Sequence, residues 1–182
     1  MKDIARVLWL ASPVMLAAAV HIAVIKLRLL ESMKKPLDAG RCVRGRRLFG
    51  DNKTVRGVVV MVGVSVLGAV LQGAWRWREL ELFDYGEMNL PVVGLLLGLG
   101  FALAELPNSF LKRQWDVGPG QRGPWFFVVL DQVDSVAGCL AMLCFVWPPP
   151  LRIWAITLLL CSGVHIAFNS VFVLLGLKKS VF

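Results

Sequence analysis

The chain has 182 residues, 57% of them hydrophobic, with a mean hydropathy of +0.68 and a formal net charge of +8. Soluble domains run near 45 to 50% apolar with about a quarter of their residues charged, so this composition excludes an ordinary water-soluble globule. A membrane-spanning helix takes about 20 apolar residues, which leaves room for several spans and none for a separate soluble domain. The basic residues fall in the gaps between apolar runs instead of covering a surface, a pattern that speaks for a lipid bilayer and against nucleic acid.

In chain order, apolar segments are predicted at 4–30, 57–74, 90–106, 124–147 and 151–177, giving one all-α domain over 1–182 with five transmembrane helices. The first begins with Lys2 and Arg6 and contains Ala17, Ala18 and Ala19, features shared with a cleavable leader. Its apolar run continues through His21 to Ile25, so a retained span is expected. The next gap carries Lys34, Lys35, Arg41, Arg44, Arg46, Arg47, Lys53 and Arg56 against Glu31, Asp38 and Asp51, and the positive-inside rule assigns it to the cytoplasm. Arg76 and Arg78 after the second span are balanced by Glu79, Glu81, Asp84 and Glu87, which suits the opposite face. The third gap, with Lys112, Arg113 and Arg122, returns to the cytoplasm. Arg152 then follows three prolines on the outside, and Lys178 and Lys179 end inside. An odd number of spans puts the N-terminus outside, against which only Lys2 and Arg6 pull. Trp75, Trp77, Trp147 and Trp154 sit where interfacial anchors belong. Cys42, Cys139, Cys144 and Cys161 form no CxxC pair and are expected to be reduced and structural.

This topology sends three polar clusters to the cytoplasmic face: Phe49 to Gly57, Glu105 to Arg113, and Asp131 to Ser135. Asp131 and Asp134 stand i, i+3 on one helical face about two turns into the fourth span. Ionised carboxylates at that depth cost several kcal/mol unless paired, hydrated or bound to a cation, which makes them functional candidates. Magnesium, with its preference for oxygen ligands, suits such a pair. A structural reading stands beside this one, in which both acids merely pair with Lys112 or Arg113. Asp51, Lys53, Thr54 and Arg56 are framed by Gly50 and Gly57 at the start of a helix, whose free N–H groups suit a phosphate. An ordinary basic loop touching anionic headgroups accounts well for Lys34 and Lys35 and less well for this glycine-framed stretch.

The runs Arg46-Arg47-Leu48-Phe49-Gly50-Asp51-Asn52-Lys53-Thr54-Val55-Arg56-Gly57, Ser109-Phe110-Leu111-Lys112-Arg113 and Asp131-Gln132-Val133-Asp134 resemble the membrane CDP-archaeol synthases, relatives of the phosphatidate cytidylyltransferases. His165, Asn169 and Leu175-Gly176-Leu177-Lys178 are similar to that family's closing pattern, and several bacterial proteins resemble the family as well. The resemblance implies a five-span membrane enzyme that makes a CDP-activated lipid and pyrophosphate from CTP and a lipid phosphate, with Mg2+. It further implies Asp131 and Asp134 as metal ligands, Glu105 and Asp51 as candidate further donors, and Lys53, Arg56, Lys112 and Arg113 as the phosphate-binding cations. Gly50, Asn52, Thr54, Gly57, Asn108, Ser109, Gln132, His165 and Asn169 become candidate substrate contacts; for His165 and Asn169, spaced i, i+4, a packing pair is the equal alternative. Where the archaeal enzymes usually carry Gly-Asp before the Ser-Phe-x-Lys-Arg run, this chain has Ala104-Glu105, a carboxylate on a longer arm. Pro107 is expected to break the third helix near Leu106. Two other classes compete: a non-catalytic scaffold that binds anionic lipid, and a small transporter, which would spread ionisable groups through the bilayer depth. The sequence specifies neither the acceptor lipid nor an oligomeric state.

Overall fold

The computed structural model describes residues 2–121 and 123–174. It contains five long helices, α1 (Lys2–Lys26), α2 (Val55–Trp75), α3 (Leu90–Gln114), α4 (Trp125–Leu143) and α5 (Leu151–Leu174). This is the helical bundle that the apolar runs predict. By length and composition α1 to α4 can each cross a membrane, and α5 contributes a shorter apolar stretch, Leu151–Val164. Between α1 and α2 lies a small antiparallel hairpin, β1 (Cys42–Val43) with β2 (Arg46–Arg47).

Local chemistry sets the helix ends. α1 stops at Lys26 because Arg28 and Leu30 take left-handed φ values of 52° and 53°. α2 starts two residues before Gly57, since the extended Thr54 caps it and its Oγ1 accepts the Gly57 N–H at 3.2 Å. The expectation for Pro107 is corrected, for α3 runs through it to Gln114. Proline removes one hydrogen bond from a helix interior, but α3 packs on α2 and α4 before the proline and is bonded to α4 through Asn108 and Lys112 after it. Continuity has a consequence for the site. Glu105, Asn108 and Lys112 stand at i, i+3 and i+7 of one unbroken helix and share a face.

α2 lies between α1 and α3, α3 between α2 and α4, and α5 rests on α4 and α1. Lipid offers no hydrophobic drive for helix association, so close backbone packing and polar links carry it. A Cβ on Gly98 would stand 2.7 Å from the Val62 Cα of α2, and one on Gly138 would stand 2.3 Å from the Gly100 carbonyl of α3. At the other end of the bundle, Pro13 leaves the Trp9 carbonyl without its helical donor. Gln72 of α2 donates to that carbonyl and to Ser12 Oγ at 2.9 Å, tying α1 to α2.

Contacts between the connections fix which ends lie together. Arg46 of β2 reaches the Gln114 carbonyl and pairs with Asp116 at 2.5 Å, so the α1–α2 and α3–α4 connections share one end. At the opposite end Arg6 donates to the Glu79 carbonyl at 3.0 Å, Asp3 pairs with Arg152 at 2.6 Å, and Phe83 packs on Trp147. The loops alternate as the charge pattern requires.

Gly138→Leu is expected to force α4 off α3 and to lower the thermal unfolding midpoint in detergent by the equivalent of about 1–3 kcal/mol. Gly63→Ala, whose added methyl meets nothing within 4 Å, serves as control and leaves the midpoint in place. Equal midpoints for the two variants would refute tight packing at the α3–α4 crossing.

Candidate functional site

One acid organises the connection that leads into α2. The Asp38 side chain is fully buried and accepts the backbone N–H groups of Gly40, Phe49 and Gly50, each at 3.0 Å, and the Arg47 guanidinium at 2.7 Å. Burial by itself would raise this carboxyl; the Arg47 and backbone hydrogen bonds outweigh it and hold the group well below the ordinary 3.8. Arg47 is raised in return. Its outer side takes Asp51 at 2.9 Å, and that acid is 75% exposed, paired at the loop surface and apart from Asp131 and Asp134. Gly50, at φ 93°, brings its backbone against Pro119 and the Arg113 stem, where a Cβ would meet the proline at 3.2 Å. Leu37 N–H to the Lys53 carbonyl (2.8 Å) and Val55 N–H to the Lys35 carbonyl (2.9 Å) then seat Asn52 and Lys53 beside the bundle. The helix-start reading of a phosphate site is correspondingly narrowed, because the Val55 and Gly57 N–H groups already have partners within the protein.

The polar faces of α3 and α4 meet in one network. Lys112 Nζ donates to Asp131 at 2.6 Å. The Asn108 amide nitrogen donates to Asp131 at 2.7 Å and to Asp134 at 2.8 Å. Nitrogen must face these two acids, since the amide oxygen would meet only acceptors there. Ser135 Oγ lies 3.1 Å from Asp134 and 3.2 Å from Glu105, and Glu105 is ion-paired with Lys53. Three clusters that are far apart in sequence thus form a continuous chain of contacts from Lys112 to Lys53.

The charges in this network are unevenly matched. Asp131 has Lys112, whereas Asp134 is bonded only by neutral donors among the described residues. Two carboxylates converge on one amide nitrogen, with the Ser135 hydroxyl and the Glu105 carboxylate next in the network, and such oxygens are the ligands a hard divalent cation takes. Among the described residues no three His, Cys, Asp or Glu side chains form a metal cluster by themselves. The arrangement fits an ion whose shell is completed by water and substrate phosphates.

Other predicted residues are placed as follows. Arg113 is 8% exposed, and its Nε and Nη1 have no hydrogen-bond partner among the described residues, an arrangement that calls for an anion. Arg56 is buried and turned to Glu31 (2.6 Å) and the Leu29 carbonyl (3.1 Å), where it fastens the end of α1 to α2. Ser109 and Gln132 are buried, and the Gln132 carbonyl accepts from Ser162 of α5 at 3.0 Å. The side chains of His165 and Asn169, and all of 175–182, lie outside the described residues. The four cysteines are free.

Two features escaped sequence reading. Asp38 looked like a minor counter-charge in a basic loop; its signal is the Asp-x-Gly turn at Asp38–Gly40, in which the side chain accepts its own loop's N–H. His21 reads as part of an apolar span. In the structure it lines, with Asn52, Lys53, Thr54 and Glu105, the polar mouth of a cavity of about 420 Å³. From that mouth the cavity runs between the helices past Met61 and Leu97 to Val7, Leu10 and Leu143. Its α1 wall, from Ile25 to Val7, covers about 27 Å of helix.

Comparison with known proteins follows the same direction. The profile of the CarS-like CDP-archaeol synthases matches residues 2–182. The CDP-archaeol synthase of Methanospirillum hungatei is 33% identical over 160 residues, covering 79% of this chain and 87% of that protein. That of Aeropyrum pernix is 31% identical over 150 residues, covering 80% and 78%. A solved intramembrane enzyme of archaeal membrane-lipid biosynthesis superposes with a TM-score of 0.62 at 25% identity, covering 89% of this chain and 91% of its own.

The Asp38 anchor yields a prediction with a defined pH sign. A carboxyl depressed in the folded state stabilises above its ordinary pKa and loses that contribution as pH falls. Order in the 37–53 segment should therefore be constant from pH 8 to about 4 and decline in stronger acid. At neutral pH, Asp38→Ala should raise protease cleavage in this segment at least tenfold, while Asp51→Ala stays near wild type. Equal cleavage of both variants would remove Asp38 as the anchor.

Proposed function

The chain belongs to the CDP-archaeol synthase family, and from that premise we propose that it transfers the cytidylyl group of CTP to a membrane lipid phosphate, giving a CDP-activated lipid and pyrophosphate. It is an integral membrane enzyme. The reading of its site is carried by one observation: Asp131 and Asp134 converge on the Asn108 amide, flanked by Lys112 on one side and, through Ser135 and Glu105, by Lys53 on the other.

The chemistry asks mainly for electrostatics. A phosphate monoester has a second pKa of about 6, so the attacking oxygen is already anionic near neutral pH and needs no strong base. That oxygen bonds to the α-phosphorus of CTP as the bond to the α,β-bridging oxygen breaks, and pyrophosphate leaves with the electron pair. Two anions must approach, and charge accumulates on the leaving group. In this reading Asp131 and Asp134 hold Mg2+, with Glu105 close enough in the network to contribute; Asp51, paired with Arg47 at the surface, is left out of the ligand set. The ion supplies neutralisation of the phosphate oxygens and polarisation of the reacting phosphorus. Lys112, released from Asp131 toward substrate, and Arg113, with buried N–H groups facing no protein acceptor, offer charge to phosphate oxygens. Arg56 acts at one remove, by holding the end of α1 to the start of α2.

The hairpin end of the bundle faces the cytoplasm in this reading, because Lys34, Lys35, Arg41, Arg44, Arg46 and Arg47 gather there. CTP then reaches the site from water and the lipid from within the bilayer. The family's name points to an isoprenoid ether lipid as acceptor, and an acyl lipid phosphate is the comparison that tests it.

Detergent-solubilised protein incubated with labelled CTP, magnesium and a panel of lipid phosphates should yield a lipid-extractable cytidine product. Asp131→Asn and Asp134→Asn should each lower the initial rate at least about 100-fold, roughly 2.7 kcal/mol of barrier, without shifting the unfolding midpoint downward. Absence of product with every acceptor, alongside retained binding to anionic vesicles, would favour the non-catalytic scaffold. Full activity in both variants would dismiss the metal assignment while leaving the family reaction intact.

A further inference from the structure

The reaction brings two phosphorylated substrates to one network, and that network has two distinguishable sides. Lys53, His21 and Asn52 line the mouth of the long apolar cavity, whereas Lys112, Arg113, Asp131 and Asp134 form no part of its wall. Only an amphiphile gains from occupying both a polar mouth and an apolar passage along most of α1; a nucleotide triphosphate would leave that passage empty of contacts. The mouth therefore suits the head of the lipid and the passage its chain.

His21 is the unexplained group at this mouth. It stands on α1 five residues before the helix ends, half buried, at a depth where ionisable side chains are rare unless they have a task. Its imidazole makes no hydrogen bond among the described residues and packs over Gly57, where a Cβ would come within 3.3 Å of Nε2. The charged groups around it are Glu105 of α3 and Arg56 and Lys53 from the start of α2. Arg56 is turned to Glu31 and is not part of the cavity wall, which leaves Lys53, paired with Glu105, as the cation at the mouth, with His21, Asn52 and Thr54 as the neighbouring polar groups. Glycine at position 57 leaves room for the ring beside α2, since a Cβ there would also meet Cε1 at 3.4 Å.

We propose that His21 and Lys53 form the acceptor subsite, where the imidazole and the ammonium bind the phosphate of the incoming lipid while its chain lies in the apolar cavity, and that the α3–α4 side with Lys112 and Arg113 takes the triphosphate. This assignment rests on the cytidylyltransferase reading and refines it. His21 is a substrate-positioning and specificity residue. It fixes the lipid phosphate at the cavity mouth, so that the attacking oxygen is presented to the network from the side opposite Lys112.

The test is a two-substrate kinetic analysis in mixed micelles. His21→Leu should raise the KM for the lipid phosphate at least tenfold and leave the KM for CTP within twofold. His21→Gln, which keeps an N–H donor, should recover most of that loss. Arg113→Gln should show the reverse pattern, with the CTP constant raised and the lipid constant nearly unchanged. If His21→Leu fails to fold, His21→Phe carries the same test, because it keeps an aromatic ring over Gly57 while removing the N–H, and it should raise the lipid KM alone. Equal changes in both constants, a change confined to CTP, or no change in the folded variant would each overturn the assignment. Wild-type protein that makes no CDP-lipid from any acceptor would instead fail the family reading, a result separable from these.

Discussion

The structure depends on how two carboxylates are kept inside a membrane-spanning helix. Asp131 and Asp134 project from α4 toward α3, and a single amide nitrogen of Asn108 donates to both. An amide satisfies lone pairs but cancels no charge. Lys112 offsets Asp131, and Asp134 keeps only neutral donors among the described residues. The pair is therefore organised without being fully neutralised, which in the proposed reading suits a site for a cation and phosphorylated substrates. A fully paired cluster would be better placed to stabilise the fold and worse placed to bind either.

Much of the bundle serves that arrangement. An asparagine arm is short, so α3 and α4 must approach closely for one amide to reach both acids. Gly100, about two turns before Asn108, and Gly138, about one to two turns beyond the acids, permit the approach, with backbone where side chains would otherwise stand. Helical continuity through Pro107 matters for the same reason. A break at that point would rotate Asn108 and Lys112 away from Glu105 and scatter the face that meets α4. The hydrogen bond lost at the proline is a local cost, while the register of the polar face decides whether a site exists.

The connection between α1 and α2 works by a different principle. It has few apolar contacts and many cations, and it is ordered from within by a buried acid. Asp38 gathers three backbone N–H groups and a guanidinium, so a basic segment that would otherwise spread in solution is folded against the bundle end. Arg46 then latches it to the α3–α4 connection. Lys53 is delivered to Glu105 by this chain of local bonds, and the cavity mouth takes its shape from the same seating.

Hydropathy alone was enough to determine the membrane setting and the helix-rich architecture, because burial of backbone polar groups in lipid admits few alternatives. Charge in the gaps determined which connections share an end, and the contacts of Arg46, Arg6 and Asp3 agree with that pairing. The i, i+3 spacing of Asp131 and Asp134 exposed the acid pair, since helical periodicity is a property of the chain itself. Partner choice was another matter. That Asn108 bridges the acids, that Arg56 turns to Glu31 and that His21 faces a cavity are set by distances between segments more than 20 residues apart, whereas Asp51 finds Arg47 only four residues away. Pro107 shows the limit most clearly: a local rule predicted a helix end, and packing on both flanks carried the helix through. Sequence spacing reports what one helix presents, and only the assembled bundle decides what each presented group meets.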